Sequence, residues 1–413
     1  MSNSMIEPAS ELGAAQRSDT GCSYALLIEP AEGAAVARVF GLNARERLER
    51  SLASLGLRRI EVDEVRNLCD ERVVALSTNH FYDGRLIAAL ADSTGESLLL
   101  LDPSHSAAPT VGIAASASEI ECWIPALRTG DGSRAHASGA AARSVLPTEL
   151  VPAYDAKLRK HAPPFVLPAE VERTSEAEAR LFDAAYKGTT DFVTKWIWPL
   201  PARVVTGWCA HWGIQPNTVT MLSYLLTLLT LLAFWRGDFG WGLASAWLMT
   251  FLDTVDGKLA RVTLTSSRLG DVLDHGLDLI HPPLWWIAWA AGLAGAGVLF
   301  GPYTVWALVV FCGYIVGRLL EGLFILAFGQ EMFTWRTFDS AFRLVIARRN
   351  PNLVMLTLAT LGGRPDLGLI AVASWTLCCI FIQCVRIAQA ALLKWRGQAI
   401  RPHVNEATEE SSV

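Results

Sequence analysis

Asp253, Asp256, Asp274 and Asp278 stand close together in a part of the chain that is apolar on both sides. The stretch reads Asp253-Thr-Val-Asp256-Gly257-Lys258-Leu-Ala260-Arg261, then eight residues, then Gly270-Asp-Val-Leu-Asp274-His275-Gly-Leu-Asp278. Residues three or four apart share one face of a helix, so the spacing predicts two helices, each presenting a carboxylate pair. A short turn between them would let the pairs close around divalent metal, which hard carboxylate oxygens suit. Carboxylates in membrane segments are costly and mark functional sites. Left without cations, four buried carboxylates would carry a large desolvation cost.

The helices that position these residues are legible from hydropathy. The 413-residue chain is 52% hydrophobic with mean hydropathy +0.31, and the apolar mass lies after about residue 195. Segments of roughly twenty apolar residues span a bilayer. Six are predicted: Asn217–Trp235, Trp241 to about Leu264, Gly270–Gly297, Tyr303–Phe328, a short one at Asn352–Leu361 that starts earlier if it spans, and Leu367–Leu393. Between the fourth and fifth lies a basic stretch with Arg336, Arg343, Arg348 and Arg349, and the tail adds Lys394, Arg396 and Arg401. The positive-inside rule puts both termini, this loop and the aspartates on the cytoplasmic side. Before the first span, Lys195, Trp196 and Trp198 read as an interfacial helix along the headgroups, continuing over residues 202 to 213.

Taken together, Asp253-x2-Asp256-Gly257-x2-Ala260-Arg261-x8-Gly270-x3-Asp274-x3-Asp278 resembles the signature of CDP-alcohol phosphotransferases at all eight defined positions. The resemblance implies attack of an acceptor hydroxyl on the β-phosphorus of a CDP-alcohol, with release of CMP. It implies a two-metal site of Mg²⁺ or Mn²⁺, with ions ~4 Å apart, held by Asp253, Asp256, Asp274 and Asp278. Asp278 is then also the general base. Asn217, Thr220, Asp253, Gly257, Ala260, Arg261 and Gly270 would bind the CDP moiety. Gly257 and Ala260 lack bulk, so the nucleotide can lie against the helix, and Arg261 can fork onto phosphate. Pro216-Asn217-x2-Thr220 reads equally well as a helix cap. The resemblance also implies a homodimer through the membrane helices.

Other residues nearby carry weaker signals. Arg318, Arg336 and Arg343 are candidates for a cationic pocket that takes a phosphorylated acceptor; Arg318 with Glu321 one turn on reads as an intramembrane ion pair. Lys258 is no defined position and reads as a snorkelling side chain. His275 and His281 read as packing or hydrogen-bonding residues, and Trp285, Trp286 and Trp289 as lipid-facing or core.

Residues before about 180 alternate strand and helix patterns, which implies βαβ units and a mainly parallel sheet. Tyr24–Ile28, Arg59–Val62, Val73–Leu76 and Ser97–Leu101 read as strands; Asn43–Leu55 and Gly84–Ala91 read as helices, with Asn43 as N-cap. Gly130–Arg143 reads as a loop, and Glu176–Lys187 as a helix. The order resembles the Rossmann-like sugar-phosphate nucleotidyltransferase fold. The stretch Glu29–Arg38 stands where that family has its Gly-rich loop, with one glycine and no following Pro-Lys. Asn79 stands where it has a metal-binding Asp, and an amide is a poor magnesium ligand. The domain is therefore expected to be non-catalytic. Lys157, Arg159, Lys160 and His161 read as a solvated basic run.

The expected organisation is a flexible segment 1–20, a nucleotidyltransferase-like domain 21–180, an interfacial helix 181–215, a six-helix phosphotransferase domain 216–395 and a polar tail 396–413. The fold class is an N-terminal α/β Rossmann-like domain plus a C-terminal all-α six-transmembrane-helix domain. The layout resembles fused inositol-phosphate cytidylyltransferase and di-myo-inositol-phosphate-phosphate synthase. A net charge of −5 gives no sign of a nucleic-acid partner. The eight cysteines show neither zinc spacing nor a disulfide framework, and the first residues are not read as a signal peptide. The expected protein is a multi-pass enzyme of a bacterial-type inner membrane. Its donor is CDP-diacylglycerol or a small CDP-alcohol, and its acceptor a lipid or polyol phosphate. The alternatives are a bifunctional enzyme that also makes the CDP-alcohol from CTP, and a catalytically dead scaffold.

Overall fold

The computed structural model describes residues 21–30, 37–68, 71–105, 108–132, 141–266, 268–295 and 301–403; side chains of 268, 269, 271–275 and 277–279 also lie outside the description. Contacts divide the chain into two units. One comprises Met1–Ala153 and Ala162–Ala184, the other Tyr154–His161 and Ala185–Val413.

The first unit is built on a six-stranded mixed sheet. Its strands are β1 (Tyr24–Ile28), β2 (Arg58–Ile60), β3 (Arg72–Ser77), β5 (Leu98–Leu101), β6 (Thr110–Ser116) and β7 (Arg143–Val145), in the order β2-β1-β3-β6-β5-β7. β6 runs antiparallel to β3 and β5; the other pairs are parallel. A further short strand, β4 (His80–Tyr82), pairs with β10 (Val166–Pro168). Helices α1 (Ala44–Ser54) and α2 (Gly84–Ala91) cover one face, and α3 (Ala117–Thr129) the other. The period-2 pleat explains this: Val74 and Leu76 of β3 pack with Leu48, Leu52, Leu86 and Leu90, while Val73 and Ala75 pack with Trp123 and Leu127. α1 starts where Asn43 predicts, because Asn43 and Glu46 bond each other's backbone N–H at 2.8 and 2.9 Å. The strand–helix pair β6–α3 is absent from the sequence expectation, since Thr-Val-Gly-Ile-Ala-Ala-Ser carries small residues and little alternation. Arg143, expected in a loop, opens β7.

In the second unit a small hairpin, β8 (Tyr154–Asp155) with β9 (Lys160–His161), accompanies a set of helices. The helices, numbered after α4 (Thr174–Ala184) of the first unit, are α5 (Pro199–His211), α6 (Pro216–Arg236), α7 (Phe239–Val262), α8 (Arg268–Ala294), α9 (Thr304–Phe328), α10 (Thr337–Val345), α11 (Arg349–Leu361) and α12 (Pro365–Trp395). Among the described residues three of these, α6, α9 and α12, are long and apolar enough to cross a membrane. α7 and α8 carry the motif's charges. α11 has 13 residues, so it rises only ~20 Å at 1.5 Å per residue, short of a ~30 Å hydrocarbon core.

Trp285, Trp286 and Trp289 are core residues of this unit, each 0–1% exposed, and Trp289 meets Phe234 edge-on at 4.8 Å. Gly292 makes that packing possible: a Cβ there would lie 2.0 Å from the Phe234 carbonyl oxygen at the end of α6. At the other end, Arg386 of α12 forks onto Asp339 of α10 at 2.6 and 2.7 Å, with its guanidinium 4.4 Å from the Trp335 ring. Along residues 196–212, Trp196, Leu200, Val204, Trp208 and Trp212 are all exposed at a spacing of four.

Candidate active site

The first two aspartates sit on the last turns of α7, and each is engaged by a different helix. Asp256 is 4% exposed; Thr220 of α6 donates its hydroxyl to Asp256 Oδ2 at 2.7 Å. Asp253 Oδ2 accepts from Nη2 of Arg349, at the start of α11, at 2.5 Å. Placing two carboxylates one turn apart in a low-dielectric setting requires such compensation. The backbone puts Asp274 and Asp278 one turn apart on α8, and their side chains, like that of His275, lie outside the described residues. Among the described residues no three His, Cys, Asp or Glu converge to hold a metal. Asp253 and Asp256 fit half of a hard-cation site, with oxygen donors only and a cation, Arg349, already drawn to one of them.

The small residues of the motif have a visible steric role. The Arg261 guanidinium folds back over Gly257, so that a Cβ there would lie 3.3 Å from Nη2. The space expected for nucleotide against Gly257 is thus partly filled by Arg261, whose Nε donates to the Ala185 carbonyl at 2.9 Å. Ala260 is half-buried beside it, and Gly270 lies in the first turn of α8. Asn217 is exposed on the first turn of α6 and does not cap it; Gln215 holds the N-cap position. Among the described residues, Thr220 bonds Asp256 and no side-chain hydrogen bond joins Asn217 to it. Lys258, expected to snorkel, is 5% exposed, with Nζ 4.0 Å above the Tyr186 ring.

A cavity of about 90 Å³ opens beside Arg349. Arg318, Arg343, Arg348 and Arg349 line it, with Asp191, Asn350, Tyr314 and Pro282. Arg348 pairs with Glu321, which also lies 3.6 Å from Arg318. Asn350 donates to Asp191 Oδ1 at 3.0 Å. Arg343 Nη1 is shut off from solvent without a hydrogen-bond partner among the described residues. Burial, and then the Arg348 charge, lower its proton affinity. An anion in the cavity would relieve both effects. Arg318 and Arg343 both line this cavity. Arg336 does not: it is exposed, begins α10, and stacks on Trp335. Arg348 and Arg349 take its place. Sequence reasoning assigned that pair to a basic loop because only folding brings the start of α11 against α7.

In the first unit, Asn79 follows β3 and lies 2.6 Å from both Ser77 Oγ and His80 Nδ1. Most of the loop after β1, residues 31–36, lies outside the described residues. Asp102 after β5 is fully buried. It accepts from the Ser104 backbone at 2.8 Å and faces His80 Nε2 at 3.4 Å.

Residues 214–334 match the family model described as CDP-alcohol phosphatidyltransferase. This stretch, which contains the four aspartates, is a domain of that family. A phosphatidylinositol phosphate synthase of Streptomyces avermitilis is 33% identical over 108 residues, 25% of this chain and 38% of its own length. An archaetidylinositol phosphate synthase of Pyrococcus horikoshii is 29% identical over 44% of this chain and 88% of its own. A cholinephosphotransferase 1 of Danio rerio is 29% identical over 28% of this chain and 32% of its own length. The chain thus spans well under half of two of these relatives. A crystal structure of Mycobacterium tuberculosis phosphatidylinositol phosphate synthase with CDP-DAG bound superposes with a TM-score of 0.36 and 16% identity, over 45% of this chain and 92% of that one.

Proposed function

We propose that this protein transfers the phospho-alcohol group of a CDP-alcohol to the hydroxyl of a phosphorylated polyol at a membrane, releasing CMP. The observation that carries the reading is the convergence of Asp253, Asp256 and Thr220 with Arg349, which joins the family's aspartate motif to an arginine-lined cavity. The phosphatidyl product in the name of the Streptomyces relative favours a lipid-linked donor, CDP-diacylglycerol. A small CDP-alcohol is the second donor, suggested by the cholinephosphotransferase relative.

Asp253, Asp256, Asp274 and Asp278 would hold the divalent metal, Mg²⁺ or Mn²⁺. When bound, the metal would neutralise the diphosphate and so ease departure of CMP. Arg261 would pair with the donor phosphates. Asp278 would take the proton of the acceptor hydroxyl as its oxygen bonds to the β-phosphorus and the bond to CMP breaks. Arg318, Arg343, Arg348 and Arg349 would hold the acceptor's phosphate. This reading places six spans, the aspartates and both termini as the charge distribution suggests, with the site on the cytoplasmic side. The exposed Trp196–Trp212 stripe beside Lys195 and Arg203 supports a helix lying along the headgroups. The first unit is read as a nucleotidyltransferase-like domain without catalysis, supported by Asn79 at the end of β3. A homodimer through the membrane helices completes the reading.

The test is CMP release by the purified protein with magnesium or manganese, across CDP-diacylglycerol, CDP-inositol and CDP-glycerol, with inositol phosphate as acceptor. Release from CDP-diacylglycerol is expected. Release with none of the donors would overturn the reading, and release from CDP-inositol or CDP-glycerol alone would move the donor to the small class.

A further inference from the structure

Lys258 and Arg261 are three residues apart and share a face of α7. Both are held by one short segment. Arg261 Nε donates to the carbonyl of Ala185 at 2.9 Å, and Lys258 Nζ sits 4.0 Å over the ring of the next residue, Tyr186. Lys258 feels the charges of Arg261 and Lys187 on one side and those of Asp253 and Asp256 on the other, so it stands between the cations at the end of the helix and the aspartate pair. Like charges gathered beside a buried lysine are costly unless a ring face or an anion compensates. The ring of Tyr186 supplies such a face and Asp253 and Asp256 supply negative charge; the diphosphate of a donor would add to it.

The segment is itself fixed at two points. Asp191 caps the turn that follows, accepting from the backbone N–H groups of Val193 and Thr194 at 3.1 Å, and it receives Asn350 at 3.0 Å. Gly188 lies against the β8–β9 hairpin. Its N–H donates to Leu158 O at 2.8 Å, and a Cβ on it would fall 2.4 Å from both Arg159 O and Lys160 Cβ. The hairpin is tied in turn by an ion pair from Arg159 to Glu331. The basic run Lys157–His161, read from sequence as solvated, thus contributes a docked clamp.

We propose that Tyr186 is a positioning residue that holds Lys258 and Arg261 toward the donor's phosphates, with the β8–β9 hairpin seating its segment through Gly188. The proposal rests on the transfer reading above and adds Lys258 to the residues that bind the donor.

The test compares Tyr186→Ala, Tyr186→Phe, Gly188→Val and Lys258→Met in the full chain. The readouts are KM for donor and acceptor separately, and direct binding of CMP with magnesium, which needs no turnover. Tyr186→Ala, Gly188→Val and Lys258→Met should each raise the donor KM about tenfold and weaken CMP to match, with the acceptor KM within twofold of wild type. Tyr186→Phe, which keeps the ring, should restore the donor KM. An unchanged donor KM in Tyr186→Ala, or an equal rise in both KM values, would overturn the proposal, as would Tyr186→Phe behaving like Tyr186→Ala. If Gly188→Val fails to fold, the Tyr186 pair still decides. A wild type that releases no CMP but binds it more tightly than Tyr186→Ala sinks the transfer reading and leaves the positioning role standing. A wild type that neither turns over nor binds CMP overturns both.

Discussion

Arg349 at the start of α11 reaches across to Asp253 on α7, Nη2 to Oδ2 at 2.5 Å, and the same residue lines the arginine cavity. One side chain therefore borders both the aspartate motif and the pocket that would take the acceptor. Arg349→Ala is expected to lower kcat at least tenfold and to raise the acceptor KM. Arg349→Lys should recover only part, because an ammonium lacks the planar fork. Steady-state kinetics with the acceptor varied check this, and a wild-type profile in Arg349→Ala would refute the bridge.

Asp256→Asn and Asp278→Asn should each reduce CMP release by about 10³-fold or more, in keeping with loss of a metal ligand or a general base. Asp256→Asn keeps an oxygen for the Thr220 hydroxyl, so the folded state should persist, as read by thermal unfolding in detergent. Chelation with EDTA should abolish turnover, and added Mg²⁺ or Mn²⁺ should restore it. Turnover that survives EDTA counts against a metal site.

Arg343 lies within the cavity and Arg336 lies outside it. Arg343→Ala should raise the KM of a phosphorylated acceptor about tenfold and leave the donor KM unchanged. Arg336→Ala should shift neither by more than twofold. Reversed behaviour of the two variants would show that another surface receives the phosphate.

Arg386 and Asp339 form a bidentate pair with 1% exposure on the aspartate side chain. Removing one partner strands a buried charge, at about 3–5 kcal/mol. Arg386→Ala should therefore lower the unfolding temperature of the second unit clearly, while Arg364→Ala, whose partner Asp366 is more exposed, should change it little.

In the first unit burial pushes the Asp102 carboxyl up, but the hydrogen bonds from His80 and Ser104 outweigh it and hold the group below the ordinary carboxylate range. A folded value below the unfolded one, ~3.9, gives stability that is present above pH ~4 and is lost as pH falls through the folded value. Acid titration followed by fluorescence of buried Trp123 should show this loss, and Asp102→Asn should remove much of its pH dependence. An unaltered acid transition in Asp102→Asn would exclude the mechanism.

The aspartate motif was legible because its chemistry fixes residue types at helical spacing, and spacing survives in one dimension. The same holds for α1, where Asn43 and Glu46 bond within one turn, and for the long apolar helices, whose lengths follow from the bilayer. Strand β6 escaped because its small residues carry little alternation, and its place depends on neighbours far away in the chain. Arg349 and Asp253 are 96 residues apart, and nothing local in either segment announces the other. The hairpin's basic run looks solvated in sequence because charge alone does not reveal a docked backbone; Gly188 reveals it only through the atoms a Cβ would strike. Local spacing determined which residues could do chemistry. The packing of α6, α7 and α11 decided which of them meet, since long-range burial chooses partners that no single helix encodes.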